Sequence, residues 1–161
     1  MLKRRILATG FITALIILIA DQVSKAVLLP LLTEPWQQIP ITSFFNLTPV
    51  WNHGVSFGLF KADSTAHVWA LIGVALALVS LVTWWLFKSP DRLHALCYGA
   101  IIGGALGNII DRLRFGAVFD FLDFYLATWH YPAFNIADSA IVCGVCGLLV
   151  LTLRAPSGHK K

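Results

Sequence analysis

Four apolar runs dominate this chain: roughly Ile6 to Leu29, Val68 to Phe87, Leu93 to Ile110 and Ala133 to Leu153. Each is close to the roughly 20 residues that a helix needs to cross bilayer hydrocarbon. No water is available there to satisfy backbone N–H and C=O groups, so a spanning segment must bond internally as a helix or close into a barrel. Runs of this length predict an all-α membrane protein with four transmembrane helices. Of 161 residues, 58% are hydrophobic and 12% charged, a charged fraction about half that of an ordinary soluble domain. One membrane-embedded domain, 1–161, accounts for the whole length.

Cations orient the bundle. Lys3, Arg4, Arg5, Lys88, Arg92, Arg154, Lys160 and Lys161 flank one side, and Lys25, Lys61, Arg112 and Arg114 the other. The richer side is expected to be cytoplasmic, which puts both termini there. The net charge of +4 is then a matter of topology and of affinity for membrane lipids. No basic stripe or aromatic ladder suggests nucleic acid. Lys3-Arg4-Arg5 before an apolar run resembles a secretory signal, but Asp21, Gln22 and Lys25 replace a small-x-small cleavage site and the apolar character resumes through Leu29. A permanent first helix is expected.

Cys97, Cys143 and Cys146 fall inside the apolar runs and are expected as small packing residues. Cys143-x-x-Cys146 lacks the helix N-terminus and βαβ setting of a redox motif. His53, His67, His94, His130 and His159 are too scattered to converge on a metal. Gly99, Gly103 and Gly107 recur every four residues in the third run, clearing one helix face for close packing.

Two segments on the outer side, 30–67 and 111–132, are too polar and turn-rich to span. In the first, Ile39-Pro40-Ile41-Thr42 and Phe44-Phe45-Asn46-Leu47-Thr48 read as short strands, with Pro49, Gly54 and Gly58 as punctuation. A small extracytoplasmic β-rich region is expected on the membrane surface. Trp36, Phe44, Phe45, Trp51, Phe57, Phe60, Trp69, Tyr125, Trp129 and Tyr131 gather at these borders as an interfacial belt. The polar tail, 155–161, is expected to be disordered.

Chemistry concentrates at the same face. Asp21 and Lys25 stand one turn apart, a spacing that an ion pair alone would explain. Asn108, Asp111 and Arg112 share one helix face, where Asp111 and Arg112 could simply neutralise each other. Asp120 follows in the outer segment, and Asn135 with Asp138 opens the fourth helix. That is more polar side chain than helix ends require, and a carboxylate near hydrocarbon costs on the order of 3 kcal/mol. No HExxH or phosphate loop is present. Paired carboxylates remain, Asp120 and Asp138, of which one draws a proton from water and the other donates one to a carbonyl. Asp123, three residues on, competes with Asp120 by spacing alone.

Five motifs then stand in order: Asp21-Gln22-Val23-Ser24-Lys25, Asn52-His53-Gly54-Val55-Ser56-Phe57, Gly107-Asn108-Ile109-Ile110-Asp111-Arg112, Val118-Phe119-Asp120-Phe121, and Phe134-Asn135-Ile136-Ala137-Asp138. Together they span nearly the whole chain, which resembles bacterial lipoprotein signal peptidase, signal peptidase II. The resemblance implies an aspartyl endopeptidase of the bacterial inner membrane, with its site at the outer leaflet. Such an enzyme cuts prolipoproteins just before a diacylglyceryl-modified cysteine. It implies Asp120 and Asp138 as the catalytic dyad, with Asp21, Lys25, Asn52, Gly54, Asn108, Asp111, Arg112 and Asn135 binding substrate or supporting the site. No metal or organic cofactor is implied, and a monomer is expected. Two other classes fit intramembrane polar residues: a small transporter, whose charges should extend across the membrane, and a non-enzymatic assembly factor, which should tolerate Asp to Asn changes.

Overall fold

The structure is a computed structural model, and it describes residues 1–32, 37–54 and 65–154. Val55, Ser56 and Phe57 of the second motif, the belt residues Trp36, Phe57 and Phe60, Gly58, Lys61 and the tail 155–161 lie outside the described residues. Four helices are long and apolar enough to cross a membrane: α1 (Leu2–Leu28), α2 (Thr65–Phe87), α3 (Arg92–Phe115) and α4 (Ile136–Arg154). Four strands lie between them: β1 (Ile39–Thr42), β2 (Phe45–Asn52), β3 (Val118–Leu126) and β4 (Trp129–His130).

Helix α3 is the centre of the bundle, packed against α1, α4 and α2. Its small residues make that possible. A methyl group on Gly99 would strike the Gly10 carbonyl of α1, and one on Gly103 or Gly104 would strike the carbonyl of Ala14 or Ala137. Gly107 has another use: its missing side chain leaves the space that the Asp21 carboxylate fills. The outward faces of α1, α2 and α4 carry exposed Ile12, Leu15, Ile16, Leu78, Val142 and Leu149, as lipid-facing surfaces should. Cys97 is buried, whereas Cys143 and Cys146 are exposed on α4. The expectation that all three pack inside therefore fails for the two α4 cysteines, which lie on a face that the hydrocarbon can cover.

Helix α3 also runs past the expected Ile110 to Phe115. Asp111, Arg112 and Arg114 break the apolar run, but their polarity ends the hydrophobic stretch without ending the helix. The stop is Gly116, at φ 74°, whose N–H reaches the Arg112 carbonyl at 3.0 Å, the left-handed cap that glycine adopts without steric cost. At the other end Asp91 caps the helix by accepting from the His94 N–H at 2.9 Å.

The strands form one antiparallel sheet in the order β1-β2-β3-β4. Its first strand matches the expected one; the second begins near the expected start but runs on through Pro49, read as punctuation, to Asn52. The other two come from the segment read as an outer loop. β3 was hidden because Val118, Phe119, Asp120 and Phe121 are all buried, so no period-2 alternation marks it. Its pairing places Asp120 opposite Val50 and Asn52 opposite Val118, with a register break between Leu47 and Val50. Buried Leu32, Phe119 and Phe121 tie the sheet to the end of α1.

The α1–α3 crossing should be the least tolerant contact in the bundle. Gly103→Val inserts three carbons where a carbonyl already stands, and overpacking of this kind costs about 1–3 kcal/mol or more. Thermal unfolding in detergent should show a clear loss of stability, against little change for Gly73→Ala, which meets open space.

Candidate active site

The last turns of α1 and α3, the first turn of α4 and the start of β3 meet at one end of the bundle, and their polar side chains form one connected network. Lys25 is at its base. Its ammonium, 5% exposed, donates to Asp21 Oδ2 at 2.8 Å and Asn108 Oδ1 at 3.4 Å and forms an ion pair with Asp111 Oδ2 at 2.7 Å. The ion pair anticipated within α1 is therefore shared with α3, and Asp111 is held by Lys25 with no bond to Arg112 required. Gln22 Nε2 adds bonds to Asp21 at 3.1 Å, Asp111 at 3.1 Å and the Gly107 carbonyl at 3.3 Å. Gln22 was not singled out by sequence; its place beside Asp21 and Lys25 in one motif was the available signal.

The two carboxylates under Lys25 each hold a backbone segment. Asp21 Oδ1 accepts from the Ala137 N–H at 3.0 Å, and Asp111 Oδ2 from the Phe119 N–H at 3.1 Å. Those residues immediately precede Asp138 and Asp120. Around Asn135 and Asp138, α4 opens on a reciprocal cap: the Asp138 N–H donates to Asn135 Oδ1 at 2.9 Å, and the Asn135 N–H to Asp138 Oδ2 at 3.2 Å. This capping box leaves the helix start no freedom to rotate away.

Asn135 is wholly buried and joins the two aspartates. Its Nδ2 donates to Asp120 Oδ1 at 2.7 Å and to Asn108 Oδ1 at 3.1 Å, while Asn108 Nδ2 donates to Asp138 Oδ1 at 2.8 Å. Asn52 Nδ2 completes Asp120 at 3.1 Å, and its Oδ1 accepts from the Gly54 N–H at 2.9 Å. Gly54 has φ 99°, and a methyl group there would clash with Leu71 and approach Arg112. Arg112 Nη1 reaches the Asn108 carbonyl at 3.4 Å.

Asp120 is 1% exposed. Burial, and after it the charge of Asp138, push its carboxyl from the ordinary 3.8 up to about 7, although hydrogen bonds from Asn52 and Asn135 pull the other way. Asp138 is partly exposed and lines a largely apolar cleft of about 350 Å³ with Tyr131, Pro132, Ala133, Val142 and Cys143. Every candidate residue named from sequence therefore falls in this network or against it. Asp123 does not: it bonds His130 and Asn46 farther along β3 and is a strand residue, neither in a loop nor at a helix cap. Among the described residues, no group of three His, Cys, Asp or Glu could hold a metal ion.

The chain that carries this network has relatives. Residues 13–154 match the family model described as Signal peptidase (SPase) II. The chain belongs to that family. A lipoprotein signal peptidase of Methylorubrum extorquens (strain PA1) is 43% identical over 150 residues, covering 91% of this chain and 86% of its own. One of Burkholderia multivorans (strain ATCC 17616 / 249) is 44% identical over 149 residues, covering 91% and 89%. Among solved structures, a bacterial membrane enzyme determined by the in meso method at 2.3 Å resolution superposes with a TM-score of 0.81 at 25% identity, over 96% of this chain and 93% of its own. This member of the signal peptidase II family is thus a multi-pass membrane peptidase.

Lys25 is the residue on which the network converges. Lys25→Met leaves Asp21 and Asp111 buried without their cation, and breaking a buried pair from one side costs about 3–5 kcal/mol. The expected outcome is a lowered unfolding temperature in detergent with loss of peptidase activity. Ser80→Ala, which removes only an intrahelical bond to Leu76, should change neither.

Proposed function

We propose that this peptidase removes the signal peptide of prolipoproteins whose cysteine carries a diacylglyceryl group, cutting immediately before that cysteine with Asp120 and Asp138 as an aspartyl dyad. The observation that carries the reading is the joining of the two aspartates through Asn135, with a buried member and a cleft-facing member. The relatives' name, lipoprotein signal peptidase, supports the substrate class.

Near neutral pH the pair holds one proton, favoured on Asp120 by burial. Asp138, open to the cleft, takes a proton from water, whose oxygen adds to the scissile carbonyl carbon. Asp120 gives its proton to the carbonyl oxygen, forming a gem-diol. Collapse of that diol breaks the C–N bond, Asp138 returns its proton to the departing amine of the cysteine, and Asp120 recovers a proton from the diol. Asn52, Asn108 and Asn135 hold the carboxyl planes; Arg112, beside Gly54, binds the substrate backbone. The chemistry uses no metal or organic cofactor.

The site sits at the outer leaflet of the bacterial inner membrane, with both termini cytoplasmic, as the distribution of basic residues supports. A lipidated substrate can enter sideways and leave its acyl chains in lipid, avoiding extraction at about 0.8 kcal/mol per methylene. Phe44 and Trp51, both exposed, would border that entry. The chain acts as one domain, 1–161, and as a monomer. Among the described residues the buried charged side chains are Asp21, Lys25, Asp111, Asp120 and Asp123, all toward one end of the bundle, so no charged relay favours transport.

Asp120→Asn and Asp138→Asn should each reduce cleavage of a diacylglyceryl-modified prolipoprotein by at least about 10³-fold while the protein still accumulates and folds, because an amide cannot relay the proton. Wild-type turnover of either variant would remove that residue from the dyad. The raised carboxyl of Asp120 is protonated below about 7 and loses its proton as pH rises through that value. Turnover should therefore fall on the alkaline side of about 7, and a profile flat from pH 6 to 9 would contradict the assignment of the proton to Asp120.

A further inference from the structure

Outside the dyad, a second buried carboxylate is paired with a ring that faces solvent. Asp123, on β3, is 3% exposed. His130, on β4, has a side chain 46% exposed, and its Nδ1 lies 2.8 Å from Asp123 Oδ1 and 3.0 Å from Oδ2. Asn46 Nδ2 stands 3.5 Å from the same carboxylate. The imidazole plane is fixed from a second side by stacking on Tyr125, centroids 5.2 Å apart at 17°. The β3–β4 turn that seats it is tight: only Ala127 and Thr128 separate the paired Leu126 and Trp129, and Ala127 takes φ 53°, a left-handed conformation disfavoured for a residue with a Cβ. A neutral imidazole whose Nδ1–H donates to a buried carboxylate has Nε2 left as an acceptor.

Asp123 and His130 line a cleft of about 440 Å³ with Gln38, Thr48, Tyr131 and Pro132. The register break between Leu47 and Val50 leaves Thr48 and Pro49 outside the β2–β3 ladder at its wall, and Pro49 has no N–H to offer. The polar groups are neutral donors and acceptors, with one carboxylate already taken by His130. Among the described residues no Lys or Arg lines the cleft, so a phosphate or lipid headgroup is a poor match, whereas peptide amides and Ser or Thr hydroxyls match well.

Position narrows the occupant. This cleft and the apolar one beside Asp138 share Tyr131, Pro132 and Ala133. From Asp138 the apolar cleft continues along α4 past Val142 and Cys143, into the membrane. The polar cleft is walled by the sheet residues Thr48, Val50, Asp123 and His130. A substrate cut at Asp138 has an apolar part and a polar part on either side of the scissile bond, and only the polar cleft suits the latter.

Resting on the peptidase reading above, we propose that the Asp123–His130 cleft is the subsite for the polar chain that follows the lipidated cysteine. His130 Nε2 accepts a hydrogen bond from a backbone N–H or hydroxyl of that chain, and Asp123 is a positioning residue that fixes the ring. The subsite binds the leaving side of the substrate and takes no part in proton transfer.

The test compares two diacylglyceryl-modified substrates with the same signal peptide: a prolipoprotein carrying its polar chain, and a lipopeptide ending one residue after the cysteine. His130→Phe keeps a ring against Tyr125 but removes Nε2. It should raise KM for the long substrate by about fivefold to tenfold, the worth of one hydrogen bond, with kcat unchanged and the short substrate unaffected. His130→Gln, with a polar atom near the Nε2 position, should recover part of that loss. Should His130→Phe fold poorly with Asp123 left unpaired, the double variant Asp123→Leu with His130→Phe removes both partners and should give the same length-dependent KM. An unchanged KM for the long substrate, or an equal loss for both substrates, would overturn the subsite while leaving the peptidase reading intact. Failure of the wild type to cut either substrate would overturn both.

Discussion

A single ammonium group, on Lys25, sets the geometry of this molecule's polar end. Two carboxylates cannot be buried side by side without a cation between them, and the ammonium lies within 2.8 Å of one and 2.7 Å of the other. Because Asp21 belongs to α1 and Asp111 to α3, that one contact joins the two helices where glycines already let their backbones approach. Each carboxylate has a second oxygen or lone pair available, and both use it on a backbone N–H in another element. Lys25 thereby sets where β3 begins and where α4 begins, although it need touch neither proposed catalytic aspartate.

The consequence is a division between groups that hold shape and groups free to react. Asp21 and Asp111 have their oxygens committed to Lys25, Gln22 and the backbone. Asp120 and Asp138 are held by amides instead, from Asn52, Asn108 and Asn135. An amide donates a hydrogen bond without supplying a full charge, so it fixes a carboxyl while leaving either protonation state accessible. Four aspartates near one membrane face are in this way separated into two electrostatic settings by their neighbours alone.

Much of this was legible in the chain. Span lengths gave the four helices, and the coincidence of Asp21, Asn108, Asp111, Asp120, Asn135 and Asp138 at one face pointed to the candidate site. Three things were hidden, for identifiable reasons. β3 is buried along its first four residues, so Val118 to Phe121 lack the alternation by which a half-exposed strand is read. The end of α3 was placed early at Ile110 because Asp111 and Arg112 look like the edge of a membrane when the cation that holds Asp111, Lys25 on α1, is far away in sequence. The pairing of Asp123 with His130 depends on a two-residue turn that carries no glycine or asparagine, and so no turn signal. Spacing alone left Asp123 as an alternative to Asp120; only the fold separates them.

The central place of α3 bears on how the protein enters the bilayer. In its most apolar stretch 56% of residues are buried against protein, compared with 22%, 17% and 17% in α1, α2 and α4, and it is the least apolar of the four. The glycines that suit it to the middle of the bundle give it little to gain from lipid. Only Lys88 to Asp91 separate it from α2, too short a link for the two to partition independently. Of the four helices α3 therefore gains least from lipid by itself and depends most on its neighbours α1, α2 and α4 to hold it in the bilayer.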